Sequence, residues 1–370
     1  MDIHFDLRWY LGQAQSEEVE PQLFRLLQAV EQGGSIRIAA EHCAVSYRYA
    51  WGLTQKWQRL LGGPLVILER GRGAKLTPLG EKLLWAKRRI TARLTPQFES
   101  LASELGVELR AALMREPQPP LRIYASHGLA IPLLRDRLNA QAISSRVDLQ
   151  FRGSLESLRL FAASKCDLAG FHLPEGPLGL RLSPHYRRWL DPEAHVLIRV
   201  VQRRQGLMMA AGNPEGIESI SDLAERRVRF VNRQLSSGTR LIFDHLLEQT
   251  GIAVDQIQGY ATEEFTHLAV AAIVASGAAD AGFGIEAAAH RFGLYFMPMV
   301  RENYWFALNR EALNLPGVAD LLRLLRSPEF HDPVAALPGY DPRAAGTVIS
   351  VEHGMNESLC GSAQVLVFPP

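Results

Sequence analysis

The sequence predicts a multidomain chain: a mostly α N-terminal unit, a long linker helix, and a C-terminal two-lobed α/β domain. Three observations carry this expectation. Between Gly33 and Thr95, twelve basic residues face only three acidic ones, a local net charge of +9 in a chain whose overall charge is +1. Apolar residues then recur at helical spacing from Leu83 to Leu109, and from Leu121 onward strand-like and helix-like stretches alternate twice over. At 370 residues and 47% hydrophobic composition the chain can bury more than one core. We place the boundaries at 1–77, 78–116, 117–345 and 346–370, with lobe I at about 121–196 and 300–345 and lobe II at about 200–295.

In the basic segment, Pro21 opens a helix with an apolar stripe of Leu23, Leu26, Leu27 and Val30, and Gly33-Gly34 stops it. Ser35 caps a short helix from Ile36 to His42, Ala44-Val45 turns the chain, and Ser46 caps a third helix to about Leu61. On the third helix Ala50, Leu53, Trp57 and Leu60 share one face and point inward, leaving Ser46, Arg48, Tyr49, Gln55, Lys56 and Arg59 outward. The stretch "PLVILERGRGAKLTP" then reads as strand, glycine turn and strand, Leu65–Glu69 and Ala74–Leu76, with Arg70, Arg72 and Lys75 at the tip. Three helices followed by a basic hairpin make a winged helix-turn-helix, whose second helix of the pair fits a major groove and whose wing reaches phosphates. Concentrated positive charge is the electrostatic footprint of such a polyanion binder.

The run "GGSIRIAAEHCAVSYRYAWGLTQKWQRLLGGPLV", followed by "GAKLTPLGEKLL", resembles the DNA-binding domain of ModE-type regulators, relatives of the LysR-type ones. The resemblance spans about residues 20 to 90, with "SYRYAW" closer to the ModE pattern. It implies Ser46, Tyr47 and Arg48 at the DNA and Trp51 in the core; outward-facing Tyr49 and the wing residues Arg70, Arg72 and Lys75 complete the expected DNA surface.

Past Pro78, Leu83, Ile90, Leu94, Phe98, Leu101, Leu105 and Leu109 form a helix-helix seam, with a break expected at Thr95-Pro96 and a spacer at "REPQPP". The seam suits a homodimer on a two-fold operator, with pairing of dimers into tetramers left open. Beyond it, "LRIYA", "VDLQFRG" and "CDLAGFHL" alternate with helices, and "GLMMAAG", "RVRFVN", "IQGY" and "DAGFGI" repeat the pattern. Crossover strands near His195–Val201 and Leu294–Met299 make two lobes around a cleft.

Four polar clusters precede predicted helices: Ser126-His127-Gly128, Gly153-Ser154, Ser236-Ser237-Gly238-Thr239-Arg240 and Thr266-His267. Helix N-termini present unpaired N–H groups, so such loops are anion cradles when they converge. Arg240 is the preferred cationic group and Arg233 the second choice; Tyr304 and Glu286 are weaker candidates. This region, carried by "DLAGFHL", "RFVNRQLSSGTR", "THLAVAAIVASGAADAGFGIEAAA" and "LPGY", resembles type 2 periplasmic-binding-protein-like domains over about residues 121 to 340. The resemblance implies a small-anion effector, with molybdate or tungstate suggested, and an organic anion or a molybdenum-cofactor-related compound also open. The joint expectation is a ligand-responsive transcription regulator. A molybdenum-cofactor-related or organic-anion-binding protein not acting through DNA is the alternative.

Other features narrow the class. "MDIHFDLRWY" lacks the basic-then-apolar order of a secretory signal and no apolar run reaches ~18 residues, so we expect a cytoplasmic location and no membrane partner. Cys43, Cys166 and Cys360 stand in no zinc or disulfide pattern. No nucleophile and base stand in recognisable context, so an enzyme is not expected.

Overall fold

The computed structural model describes residues 3–11, 16–69, 73–113, 120–140 and 147–356, and the chain divides into two compact units, Phe5–Ala92 and Arg93 onward, the described residues before Phe5 grouping with the second. In the N-terminal unit a short ladder, β1 (Tyr10–Leu11) and β2 (Glu17–Glu18), leads into α1 (Pro21–Gly33), α2 (Ile36–His42) and α3 (Tyr47–Leu61). The expected caps form: Ser35 Oγ accepts from Ile38 N, Ser46 Oγ accepts from Tyr49 N at 3.1 Å, and Gly34 and Gly62 end their helices in the left-handed region. Ala50, Leu53 and Trp57 are buried as expected, but Leu60 is exposed because the last turn of α3 extends past the core. Trp51 lies only at the core's edge. Trp57 Nε1 donates to Glu20 Oε2 at 2.6 Å, tying α3 to the start of α1. The hairpin β3 (Val66–Glu69) and β4 (Gly73–Leu76) follows. The basic tip residues Arg70 and Arg72, like the "REPQP" spacer, lie outside the described residues.

Helix α4 runs unbroken from Pro78 to Ala112, which corrects the expected break at Pro96. Proline removes one intrahelical hydrogen bond, and tertiary bonds compensate. Ser100 Oγ donates to Pro96 O at 2.9 Å and accepts from Phe151 N at 2.9 Å. One turn on, Ser103 Oγ donates to Asp148 Oδ1 and accepts from Leu149 N. The two serines thus cover exposed N–H groups of an edge strand that would otherwise template aggregation.

The second unit continues with β5 (Leu121–Ala125), α5 (Ala130–Ala140), β6 (Val147–Phe151), α6 (Ser154–Ala162), β7 (Leu168–Pro174), α7 (Gly176–Arg187) and β8 (His195–Met209). Then come α8 (Ser221–Glu225), β9 (Phe230–Arg233), α9 (Gly238–Thr250), β10 (Glu263–Glu264), α10 (His267–Ala275), β11 (Ala281–Ile285), α11 (Glu286–Arg291) and β12 (Tyr295–Asn309). The chain closes on α12 (Pro316–Leu325), α13 (Pro328–Ala335), β13 (Tyr340–Asp341), β14 (Val348–Ser350) and α14 (Val351–Asn356). "IQGY" is a turn rather than a strand: Gly259 is left-handed (φ 88°), packed so that a Cβ would strike Phe230 O.

The strands order as β10-β9-β11-β8-β12-β7-β5-β6. β8 and β12, each 15 residues, pair antiparallel along their length, so the crossovers are longer than the sequence suggested. The other edge of β8 is taken in turn by β14, β13 and β11, and β12 pairs with β7 only from Glu302 to Leu308. The sheet therefore passes from lobe I to lobe II around Gln202–Gly206. Alternation along β8 sends Val196, Ile198 and Val200 into one core and Leu197, Leu207 and Met209 into the core on the other face. No helix among the described residues is long and apolar enough to cross a membrane.

Replacing Ser100 or Ser103 with alanine should cost about 1 kcal/mol each, as a strand N–H loses its acceptor. Urea unfolding checks this; unchanged midpoints would contradict the role given to the serines.

Candidate functional site

At the passage between lobes, Arg203 on β8 stands directly opposite Glu302 on β12. Both are essentially inaccessible, and Arg203 Nε donates to Glu302 Oε1 at 2.5 Å. Arg203 Nη1 also reaches the Tyr340 hydroxyl, itself an acceptor for Leu129 N at 3.3 Å. Above this pair a cavity of about 490 Å³ opens, lined from lobe I, lobe II and the second half of α4.

Lobe I contributes Ser126, His127, Ser154 and His172. Ser126 Oγ lies 2.9 Å and Ser154 Oγ 3.3 Å from His172 Nδ1. Lobe II contributes Arg233, Ser236, Ser237, Thr239, Thr266 and His267. Three helices start here: α6, whose first turn has no side-chain cap, α9, capped by Ser237, and α10, capped by Thr266. Their N–H groups and positive dipole ends share one space. The two lobes touch at its rim, where a Cβ on Gly153 would sit 2.5 Å from Ser236 O.

Arg233 is the decisive cation. Its Nε donates to Gln234 Oε1 and its Nη2 to Phe265 O at 3.0 Å, which fixes the guanidinium, while Nη1 is buried without a hydrogen-bond partner among the described residues. Burial and the neighbouring Arg203 push its pKa down to about 9. His127 Nδ1, His172 Nε2 and His267 Nδ1 are equally buried and without a hydrogen-bond partner among the described residues. Burial first, then Arg233 and Arg203, drive all three rings toward neutrality, His127 down to about 3 and the other two well below the usual histidine range. Buried polar atoms are normally satisfied, so this cluster of orphaned donors and ring nitrogens marks a place for a ligand. Arg233 and the three helix N-termini make the field positive at this end of the cavity.

The preference for Arg240 is corrected. Arg240 lies off the cavity, held by Asp244 at 2.8 Å and Glu263 at 3.0 Å and stacked on Tyr260. Tyr304 stands one layer behind the lining, its hydroxyl donating to Ser126 O and its ring edge-on to His172. Glu286 is paired with Arg204 away from the cavity. Sequence reasoning missed His172, Arg203 and Glu302, which sit inside apolar strands; a charge within such a strand was the available signal. Among the described residues no group of three or more His, Cys, Asp or Glu is arranged to hold a metal.

On the N-terminal unit, Ser46, Tyr47, Arg48 and Tyr49 form an exposed patch at the start of α3. Lys56 is paired with Glu17 and Glu20, and Lys75 with Glu69 at 3.0 Å.

The buried histidines give a pH signature. Their folded pKa values lie below the unfolded value, so the unfolded chain binds more protons at mild acidity and stability is lost as pH falls below about 6.5. Each of the three rings should add to that slope, approaching about 1.4 kcal/mol per pH unit as the pH falls well below 6.5. Urea midpoints from pH 8 to 5.5 check this, with His172→Gln reducing the slope; a flat profile would contradict neutral rings. Separately, Glu302→Gln should destabilise by about 3–5 kcal/mol by leaving Arg203 uncompensated.

Comparison with known proteins places these observations in a family. A family model described as a PBP superfamily domain matches residues 135–326. An uncharacterized protein of Bacillus subtilis, YvgK, is 33% identical over 239 residues, covering 64% of this chain and 77% of that one. The molybdenum-pterin-binding protein MopB of Rhodobacter capsulatus is 37% identical over 87 residues, 22% of this chain and 32% of that one. Among solved structures, the Corynebacterium glutamicum OxyR C206 mutant aligns at 15% identity and a TM-score of 0.42, covering 86% of this chain and 95% of that one. The family model covers more than half of the sequence, and the chain belongs to the PBP superfamily through its C-terminal unit.

Proposed function

We propose that the protein is a cytoplasmic, ligand-responsive DNA-binding transcription regulator whose C-terminal lobes sense an oxyanion group. The observation that carries the ligand half is the Arg233 guanidinium, held by two hydrogen bonds with its third nitrogen buried and, among the described residues, unpartnered beside the cavity. Molybdate and tungstate supply the simplest head-group chemistry, and the molybdenum-pterin named for MopB would supply it on a larger body. The DNA half is supported by the helix-turn-helix of α2 and α3 with its exposed Ser46–Tyr49 patch, the hairpin that reads as a wing, and the surplus of basic residues.

The protein acts as a homodimer through α4, where Leu105 and Leu109, four residues apart, are exposed on one face, with exposed Leu113 just past the helix end. The anion shifts the regulator only to the extent that it binds one arrangement of the lobes more tightly than the other.

Selection from a randomised DNA pool by the purified full chain should enrich a two-fold sequence. In the wild type the affinity for that sequence should fall steeply with salt, and in Arg48→Ala the salt slope should drop by about 1. Arg233→Ala should abolish the oxyanion response while sparing DNA affinity. Failure to enrich any sequence at moderate salt would sink the regulator reading and leave the lobes as a binding protein.

A further inference from the structure

The cavity is larger than a bare oxyanion needs. A tetrahedral oxyanion displaces roughly the volume of two to three waters, about 60–90 Å³, whereas this space measures about 490 Å³ and falls in the range of sites that enclose whole organic molecules. Its lining also divides by burial. The polar lining residues Ser126, Ser154, His172, Arg233, Thr266 and His267 are deeply buried. The less buried members include Phe151, Phe265, Gln97 and Leu101. An oxyanion satisfies the first group and leaves the second facing empty space.

Helix α4 is the other unexplained feature. Arg93, Pro96, Gln97, Ser100 and Leu101 form one wall of the cavity. The helix is fastened to lobe I through Ser100 and Ser103, and it meets lobe II where the Arg93 guanidinium lies 5.4 Å over the Phe265 ring and 3.8 Å from Glu264. Phe151 packs its ring against His127 at 5.0 Å. Aromatic faces and a guanidinium around an open space suit a flat ring, which stacks on them at little conformational cost.

We infer that the cavity takes an oxyanion group borne on a flat organic ring, with the ring against Phe151, Phe265 and the Pro96–Gln97–Leu101 face of α4. This rests on the anion reading of the same site and adds the body of the ligand. The Gln97 amide, a donor and an acceptor on the α4 wall, reads the ring edge, and α4 senses the ligand by direct contact.

Isothermal titration of the full chain tests this with four probes: molybdate, inorganic phosphate, pterin-6-carboxylate and guanosine 5′-monophosphate. A ring-bearing probe is expected to bind at least tenfold tighter than either bare oxyanion. Gln97→Ala and Phe265→Ala are each expected to remove most of that advantage without changing molybdate or phosphate affinity. Bare oxyanions binding as tightly as both ring-bearing probes, or variants that weaken both kinds alike, would overturn the inference while leaving the anion reading intact. No binding of either kind by folded protein would overturn both.

Discussion

The pairing of Arg203 with Glu302 across β8 and β12 is the constraint on which the site depends. Burying two charges is costly, and their attraction offsets the cost only when geometry is good and further hydrogen bonds are made. Direct cross-strand register supplies that geometry, and Tyr340 supplies a further partner. The pair stands where the sheet passes from one lobe to the other. A charged anchor at that point fixes the register of the two strands and so fixes which side chains face each other across the cleft.

The electrostatics of the cleft follow from the same arrangement. Burial first, then the two buried arginines, one internally neutralised and one not, hold three nearby histidines uncharged. The inner end of the cleft thus combines the buried Arg233 guanidinium with uncharged imidazoles, hydroxyls and helix N-termini, and burial there makes each bond count for more. The α4 wall brings the element joining the two units into the same space. On the proposed reading, a ligand that fills the cavity touches α4 itself, with no requirement for a long chain of intermediates.

Much of this was legible locally. Ser35 and Ser46 as caps, Gly34 and Gly62 as stops, and the polar loops ahead of α6, α9 and α10 all announced themselves through short-range rules. Arg240 over Arg233 was a misreading with a readable remedy, because Asp244 stands four residues on and forms an i,i+4 partner. Arg233 instead ends a strand, where its side chain emerges beside α10. The break expected at Pro96 failed because Ser100 and Ser103 bond to β6, a segment nearly fifty residues away. The Arg203–Glu302 pair joins residues 99 apart, and only strand register, which no local pattern encodes, brings them together.

The central claim is that the cleft is an anion site built around Arg233. Anomalous diffraction from crystals soaked in molybdate tests it most directly, because molybdenum reports its own position. A peak is expected inside the cavity, with an oxyanion oxygen roughly 3 Å from Arg233 Nη1, next to His267 and the start of α10. A peak at Arg240 or elsewhere on the surface, with the cavity empty, would contradict it.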